Sequence, residues 1–245
     1  MSYRQELETA KKAALAAGQI LLEQKNNLNK SIFSSNTDIK LEADIVAEKL
    51  IKEILSDETS FPILAEESGQ SSDQLSDIFW VVDPLDGTAN YSRNIPICCV
   101  SIALIKNMEP VLGVIYDFSN NDLYEGSVNT SAMQNGLEIK VSDISNQGEG
   151  ILITGLPNKT DYSDEALLKM VKDFQGWRKV RMIGSAAIGS VYIASGKADV
   201  YKESRTYLWD VAAGAAIVQA AGGTALIANQ NEDFQVDVYF SNSRV

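Results

Sequence analysis

The segment 80–90 constrains this chain more than any other. An apolar run at 78–82 is typical of a buried strand, and it leads into Asp83 and Asp86, which stand three residues apart with a proline between them. Buried carboxylates destabilise a fold unless something compensates their charge, and no cation lies in this run. The segment therefore indicates a metal ion. The Gly-Thr step at 87–88 suits a turn whose N–H groups bind an anion. A metal ion beside an anion-binding turn indicates chemistry on a phosphate.

Composition narrows the class of protein. The 245 residues suffice for one large domain or two small ones that share a core, and the net charge of −12 argues against binding to nucleic acid or to an anionic membrane. A phosphorylated substrate would also be repelled unless metal ions reverse the local sign. The chain has no histidine, which excludes Ser-His-Asp and Cys-His catalysis and His-ligated zinc. Acid–base chemistry is left to Asp, Glu, Lys, Tyr or a metal-activated water.

The two cysteines and the apolar stretches indicate a cytoplasmic protein. Cys98 and Cys99 are adjacent, have no third cysteine to pair with, and are expected to pack as small buried side chains in a reducing compartment. No signal-peptide pattern is seen at the N-terminus, and the longest apolar stretch, 95–105, is shorter than the about 20 residues that a bilayer requires.

Hydrophobic periodicity predicts an α/β fold in two parts. Helices are predicted at 3–26 and after residue 44, with a loop or loose hairpin at 31–38. Strands are then predicted at 61–65, 78–82, 97–105, 110–118, 123–127 and 137–141, which favours a mostly antiparallel sheet. After a polar boundary at 142–150, strands are predicted at 151–154, 179–182, 198–202, 224–227 and 236–240, and helices at 164–174, 185–195 and 208–221. We expect an N-terminal α+β subdomain at 1–145 and an α/β subdomain at 146–245, forming one compact unit.

Three further carboxylates are candidates for the same site. Glu66 follows the strand at 61–65, so it meets Asp83 if the two strands are neighbours; an exposed Glu-Glu pair could instead serve solubility. Asp210 begins the last long helix, where a helix dipole alone would favour an acid. Asp44 could cap the second helix or lie near a metal. Glu66, Asp83, Asp86 and Asp210 are four carboxylates, a number that suits two Mg²⁺ ions, and the residues alone indicate a possible Mg²⁺-dependent phosphotransfer enzyme.

Motifs distributed over nearly the whole chain resemble those of the inositol monophosphatase family. The segment 83–88, Asp-Pro-Leu-Asp-Gly-Thr, resembles its first signature, and Ala-Glu-Glu-Ser at 65–68 its Glu-Glu-Ser element. Leu-Trp-Asp-Val-Ala-Ala-Gly at 208–214 resembles its second signature, with Gly-Ser-Ala-Ala at 184–187 and Glu203 also in place. The resemblance implies a layered α/β/α/β/α sandwich, lithium inhibition and a homodimer.

The resemblance also implies a role for each matched residue. Glu66, Asp83 and the carbonyl of Leu85 would hold one Mg²⁺, and Asp83, Asp86 and Asp210 a second. Glu66 and Thr88 would orient the attacking water, with Asp83 in the catalytic centre. The remaining implied contacts are with the substrate. The N–H groups of Gly87 and Thr88 would bind its phosphate, and Ala186 and Glu203 would contact its hydroxyl-bearing ring, with Ser185 as a possible further contact.

Departures from the family pattern leave the substrate open. Leu41 stands where the family has threonine, and a family lysine is replaced near Phe33, which puts a third ion in doubt. Arg205 could bind a second anionic group or be a surface residue. We expect a small phosphorylated polyol or sugar such as inositol monophosphate, with a 3'(2'),5'-bisphosphate nucleotide or fructose 1,6-bisphosphate as the alternatives.

Two other classes of protein compete with this interpretation. Phosphatases of the haloacid dehalogenase type carry Asp-x-Asp-Gly-Thr, but their nucleophilic aspartate would fall on Pro84, which cannot attack phosphorus. No covalent aspartyl-phosphate is therefore expected. A non-catalytic regulatory dimer on the same fold is the second rival, and release of phosphate in the presence of Mg²⁺ distinguishes it.

Overall fold

The chain is described from a computed structural model, which covers residues 3–35, 39–72, 74–156 and 161–245. The helices are α1 (Arg4–Glu23), α2 (Lys25–Leu28), α3 (Glu42–Glu58), α4 (Thr88–Ser92), α5 (Asp164–Phe174), α6 (Ala186–Ala194) and α7 (Leu208–Ala220). The strands of the first half are β1 (Ser31–Ser34), β2 (Ile39–Leu41), β3 (Ile63–Ala65), β4 (Gly69–Gln70), β5 (Ile78–Asp86), β6 (Cys99–Lys106), β7 (Glu109–Asp117), β8 (Asp122–Ser127), β9 (Thr130–Gln134) and β10 (Leu137–Glu138). Those of the second half are β11 (Ile151–Ile153), β12 (Lys179–Arg181), β13 (Val200–Tyr207), β14 (Thr224–Ala228) and β15 (Gln235–Ser241).

Two sheets form the framework. The larger has the order β10-β9-β8-β7-β6-β5-β3-β4, and within it only the β3–β5 pair of the described strands is parallel. The smaller has the order β12-β11-β13-β15-β14, with parallel pairing around β11 and antiparallel pairing around β15. β1 and β2 form a separate antiparallel hairpin.

Helices cover both faces of the larger sheet. α1 and α3 pack on one face, and α6 and α7 fill the space between the two sheets. α5 flanks the outer face of the smaller sheet, where Lys202 of β13 forms an ion pair with Asp173. This is the α/β/α/β/α sandwich that the resemblance implies, and the expected fold class is confirmed.

The continuous apolar run in β5 is explained by burial on both faces. Trp80 and Val82 point into the core beneath α1 and α3, whereas Phe79 and Val81 point into the core around α6 and α7. A strand buried on both faces cannot alternate with polar residues. The small residues of α6 and α7 have a similar cause: a Cβ on Gly214 would lie 2.3 Å from the Cβ of Ser190, so the two helices approach more closely than larger side chains allow.

Several boundaries differ from the sequence prediction. The helix predicted at 3–26 ends at Glu23, and the short α2 follows. The strand predicted at 137–141 covers only Leu137–Glu138, and Thr130–Gln134 was missed because its polar sequence is typical of a turn. The 31–38 segment forms the predicted hairpin as far as it is described, while residues 36–38 lie outside the described ranges. The division at 145 and 146 stays a prediction. Among the described residues, no helix is long and apolar enough to cross a bilayer.

Candidate active site

Parallel pairing of β3 and β5 brings Glu66 beside Asp83. Ala65 is the register partner of Val82, and the amide of Glu66 donates to the carbonyl of Val82 at 3.1 Å. The next residue on each strand is therefore a carboxylate at the same sheet edge. After desolvation, the charge of Glu66 is the largest cause that raises the pKa of Asp83, which is what two neighbouring carboxylates are expected to do. The condition that the sequence analysis set for Glu66 to meet Asp83, namely that the two strands are neighbours, is met.

A β-bulge turns Asp83 and Asp86 to the same face of the sheet. Residues three apart on a regular strand point to opposite faces. Here Asp83 lies opposite Ser101 of β6, whereas Asp86 lies opposite Cys99, so three residues on β5 span two on β6. Bulges of this kind redirect side chains next to functional sites. Both carboxylates consequently face the N-termini of α6 and α7.

The N-terminus of α6 binds the carboxylate of Asp86. Its Oδ2 accepts hydrogen bonds from the hydroxyl of Ser185 and from the amide of Ala187, the latter at 2.8 Å. Ser185 is also the N-cap, since its Oγ accepts from the amide of Ile188 at 3.2 Å. The Sγ of Cys99 lies 3.8 Å from the same Oδ2. The helix terminus is thus used to orient one oxygen of Asp86.

Asp210 occupies the first turn of α7 and is oriented in the same way. Its Oδ2 accepts from the hydroxyl of Thr206 at 2.7 Å and from the amide of Tyr207 at 3.0 Å. Among the described residues, both hydrogen bonds to the Asp210 carboxylate go to Oδ2. Asp210 therefore binds the N-cap amide of α7 and also borders the cleft described below.

The turn after β5 places Thr88 between Asp44 and Leu85. The Oγ1 of Thr88 lies 2.9 Å from Oδ1 of Asp44 and 2.9 Å from the carbonyl of Leu85. Gly87 is the N-cap of α4 with φ of +88°, a left-handed conformation that glycine adopts without strain. Asp44 lies in the first turn of α3, where its Oδ2 accepts from the amide of Leu41 at 2.7 Å, so the capping interpretation is confirmed and a role near a metal stays a prediction.

These side chains line one cleft of about 550 Å³. Most of the predicted site residues border it, namely Glu66, Asp86, Gly87, Thr88, Ser185, Ala186, Glu203 and Asp210. Asp83 and Leu85 lie behind this wall and are almost fully buried. Arg205 is exposed and borders other cavities, on a bulge of β13 where its φ is +60°. Its position favours the surface interpretation.

The cleft concentrates negative charge. Desolvation, followed by the charge of Glu66, raises the pKa of Asp83 well above its usual value. Desolvation and the charge of Asp86 raise the pKa of Asp210 to about 7, and desolvation also raises the pKa of Asp86. Desolvation and then Asp210 raise the pKa of Glu66, although its side chain keeps accessible surface in the cleft and is screened more than the others. Among the described residues, no lysine or arginine forms an ion pair with these four carboxylates.

The donor set fits a hard divalent cation. Within the described ranges, no group of three or more acidic side chains is arranged so that it could hold a metal ion as it stands. Asp86 and Asp210 each commit Oδ2 to hydrogen bonds within the protein. The remaining Oδ1 atoms are carboxylate oxygens, which Mg²⁺ prefers as ligands. Uncompensated charge on well-oriented oxygens is what a bound cation would neutralise.

The raised pKa values predict how stability without metal depends on pH. Burial raises the pKa of Asp44, Glu203 and Asp210 to about 7, whereas these groups titrate near pH 4 in an unfolded chain. The folded state therefore holds protons that the unfolded state has lost, and stability falls as pH rises from about 4 to about 7. One kcal/mol shifts the Tm of a chain this size by about 2–4 °C, so we expect Tm in chelator to fall by several degrees from pH 5 to pH 8.

Thermal unfolding with and without Mg²⁺ checks this. Saturating Mg²⁺ should reduce the fall in Tm between pH 5 and pH 8, because the cation stabilises the ionised carboxylates. Asp210→Asn should make the dependence of Tm on pH in chelator weaker, because one of the titrating groups is removed. A Tm in chelator that rises over this pH range would contradict the assigned shifts.

Sequence patterns missed three residues that border or support the cleft. Thr206 and Tyr207 orient Asp210, and the ring of Tyr207 stacks on Trp209 with centroids 4.6 Å apart. Cys99 was expected to be buried packing, which it is, but its thiol also contacts Asp86. The position of an acid three residues after Tyr207 was the available signal, since such an acid binds the N-cap amide.

Comparisons with known proteins agree with this geometry. The sequence profile described as "Inositol monophosphatase family" matches residues 2–244. "Nus factor SuhB" of Xylella fastidiosa is 39% identical over 216 residues, which are 86% of this chain and 78% of that protein. "Fructose-1,6-bisphosphatase/inositol-1-monophosphatase" of Aquifex aeolicus is 35% identical over 227 residues, 89% of this chain and 83% of that protein. The solved inositol monophosphatase of Anabaena (Nostoc) sp. PCC 7120 superimposes with a TM-score of 0.85 at 31% identity, covering 99% of this chain and 92% of that one.

Proposed function

Because the chain belongs to the inositol monophosphatase family, whose members are phosphoric monoester hydrolases, we propose that it is a Mg²⁺-dependent phosphatase of a small phosphorylated polyol or sugar. One observation carries this proposal: Glu66, Asp86 and Asp210 line one cleft next to Thr88, Asp83 is buried directly beside Glu66, and none of the four carboxylates forms an ion pair with a lysine or arginine of the described residues. The family is generally metal-dependent, and the carboxylates supply the oxygen ligands that such dependence requires.

We assign two ions to this cleft. Glu66, Asp83 and the carbonyl of Leu85 would hold one, and Asp83, Asp86 and Asp210 the other. When bound, Mg²⁺ would supply the positive charge that makes the phosphate accessible to attack and stabilises the leaving oxygen. We assign no third ion. Leu41 and Phe33 stand where the family pattern has threonine and lysine, and Leu41 is buried in the core whereas Phe33 lies exposed on β1.

The proton of the attacking water has a path through Thr88. Asp44 lies within hydrogen-bond distance of the Thr88 hydroxyl, so that hydroxyl can donate to Asp44 and accept from water. The raised pKa of Asp44, about 7, suits a group that takes up a proton near neutral pH. Glu66 is exposed in the same cleft and can hold the other hydrogen of that water. Water then attacks phosphorus and the bond to the alcohol oxygen breaks. That oxygen takes a proton from solvent water while Asp44 returns its proton to solvent, so that the net reaction adds one water to the ester.

The phosphate is placed at the turn that begins α4. The amides of Gly87 and Thr88 have no acceptor among the described residues and border the cleft. Such amides bind anions well. Pro84 occupies the position of the nucleophile in phosphatases of the haloacid dehalogenase type, so the account requires direct attack by water without a phosphoenzyme.

Glu203 is the strongest candidate for selecting the alcohol part of the substrate. Its Oε2 accepts from the hydroxyl of Tyr201 at 3.0 Å, and burial raises its pKa to about 7. We expect Glu203→Gln to raise KM for inositol 1-phosphate and lower kcat/KM by about 10–100-fold, because a site built to bind substrate hydroxyls discriminates strongly through them. With a phosphate ester that has no ring hydroxyl, such as p-nitrophenyl phosphate, the same variant should stay near wild-type; equal losses on both esters would remove Glu203 from substrate selection.

The experiment that tests the proposed function is a panel of phosphate esters compared by kcat/KM in Mg²⁺. We expect inositol monophosphates or sugar monophosphates to lead. Fructose 1,6-bisphosphate is the first alternative, since the Aquifex aeolicus relative carries both activities in its name. A nucleoside 3',5'-bisphosphate is the second. Lithium inhibition and a homodimer belong to the same proposal by resemblance.

A regulatory role without catalysis is the second candidate. The name "Nus factor SuhB" of the Xylella fastidiosa relative is not the name of a phosphatase, and this favours a regulatory function. This chain nevertheless has Glu66, Asp86, Asp210 and Thr88 in one cleft, with Asp83 and Asp44 buried beside them. Folded protein that binds Mg²⁺ but releases no phosphate from any ester of the panel would favour the regulatory role.

A further inference from the structure

One face of α3 carries three polar side chains at spacings of four residues: Asp44, Glu48 and Lys52. Side chains four apart are neighbours on a helix surface. Asp44 and Glu48 are 1% and 4% exposed, and acids are almost never this buried unless they are paired. Asp44 and Glu48 lie against the segments that follow β5 and β3, and Lys52 lies at the partly exposed end of this stripe. The stripe has the form of a contact surface for those two segments.

Glu48 and Lys52 hold the turn that begins with Glu66. The Oε2 of Glu48 accepts a hydrogen bond from the amide of Glu67 at 2.8 Å. Its Oε1 lies 3.9 Å from Nζ of Lys52, and that Nζ donates to the hydroxyl of Ser68 at 2.7 Å. Both residues that follow Glu66 are therefore bound to α3. The carboxylate of Glu67 is held from another side by Lys40 of β2.

The same helix also holds the other half of the catalytic centre. Asp44, one turn before Glu48, lies 2.9 Å from the hydroxyl of Thr88. The turn with Glu66 and the turn with Thr88 belong to different strands, and α3 contacts both through adjacent positions of one stripe. A rigid helix that binds two turns fixes the distance between them.

We propose that Glu48 is a positioning residue that sets Glu66 relative to Thr88. It does so by accepting the Glu67 amide, which fixes the backbone on the far side of Glu66, while Lys52 fixes Ser68. The inference rests on the proposed function in one respect, namely that Glu66 is a metal ligand. Groups that orient metal ligands usually change metal affinity or activity by 10–100-fold when they are removed.

The test compares Glu48→Leu, Glu48→Gln and the control Glu53→Gln, which removes an exposed charge from the same helix. Glu48→Leu should weaken Mg²⁺ binding, measured by calorimetric titration, and lower kcat by about 10–100-fold while KM for substrate changes little. The Glu67 amide should also exchange faster with deuterium in the metal-free protein. Glu48→Gln keeps an oxygen acceptor for that amide, so it should stay within about 3-fold of wild-type, and Glu53→Gln should be unchanged.

Two results would overturn the proposal. One is wild-type Mg²⁺ affinity and amide exchange in Glu48→Leu; the other is a loss in Glu48→Gln as large as in Glu48→Leu, because an acceptor alone would then not be sufficient. If Glu48→Leu does not fold, Lys52→Met replaces it, and unchanged Mg²⁺ affinity there also overturns the proposal. Wild-type protein that binds Mg²⁺ but hydrolyses no ester would count against the phosphatase function alone, since Mg²⁺ affinity and amide exchange still decide the role of Glu48.

Discussion

Asp83→Asn is expected to lower kcat/KM by on the order of 10³-fold or more while leaving the metal-free protein as stable as wild-type or more stable. The loss follows because Asp83 is the one carboxylate assigned to both ions. The gain in stability follows because Asp83 is 1% exposed and lacks a cationic partner among the described residues, so its ionised form is costly in the fold. Asparagine has nearly the same shape and carries no charge.

Tm and kcat/KM measured on the same preparations distinguish a specific loss of activity in Asp83→Asn from a loss of folded protein. Asp117→Asn is the matched control: Asp117 is also a buried aspartate, but it lies outside the cleft and accepts from the amide and the side chain of Asn120 at 3.1 and 2.7 Å. That variant should lose stability and keep kcat/KM within a few-fold, the opposite pattern. Asp83→Asn with near wild-type activity would disprove the assignment of Asp83 to both ions.

Thr88→Ala should lower kcat by about 10²–10⁴-fold with little change in KM, the range found when a positioned proton-transfer group is lost. The hydroxyl lies within 2.9 Å of both Asp44 and the carbonyl of Leu85, and it is the only atom of Thr88 that links the water to Asp44 in this account. The amide of residue 88 survives the substitution, so phosphate binding should persist.

Thr88→Ser provides the control, because serine restores the hydroxyl and removes only the methyl group. We expect it to recover most of kcat, and stopped-flow phosphate release can measure both variants. If Thr88→Ala and Thr88→Ser were equally slow, the methyl group and not the hydroxyl would matter, and the proton path through Asp44 would have to be abandoned.

The acids of the site were predictable from sequence because each follows an apolar strand or begins a helix. Glu66 and Asp83 could be paired in advance only on the condition that their strands are neighbours, since the ends of neighbouring strands meet at one edge. The orientation of Asp86 could not. A spacing of three on a regular strand places it on the opposite face from Asp83, and only the bulge against β6 reverses that. Bulges depend on pairing with a partner strand, which a single-chain pattern does not contain.

Long-range contacts account for the other differences. Sequence identified Ser185 as a possible substrate contact at a helix start, but the structure shows the α6 terminus bound to Asp86, 99 residues earlier in the chain. In the sequence, Glu48 resembles an ordinary exposed helix residue. It is buried only because the segment after β3 packs against it. Thr130–Gln134 forms a strand through its hairpin partners and not through its own propensity.

The most direct test of the central claim is phosphate release from inositol 1-phosphate by wild-type protein, measured with Mg²⁺, after chelation, and after Mg²⁺ is restored. The account predicts release with Mg²⁺, loss of release in chelator with the fold retained, and recovery on re-addition, with Asp83→Asn inactive throughout. Release that persists in chelator, or that Asp83→Asn performs as well as wild-type, would contradict a metal-dependent site built on these four carboxylates.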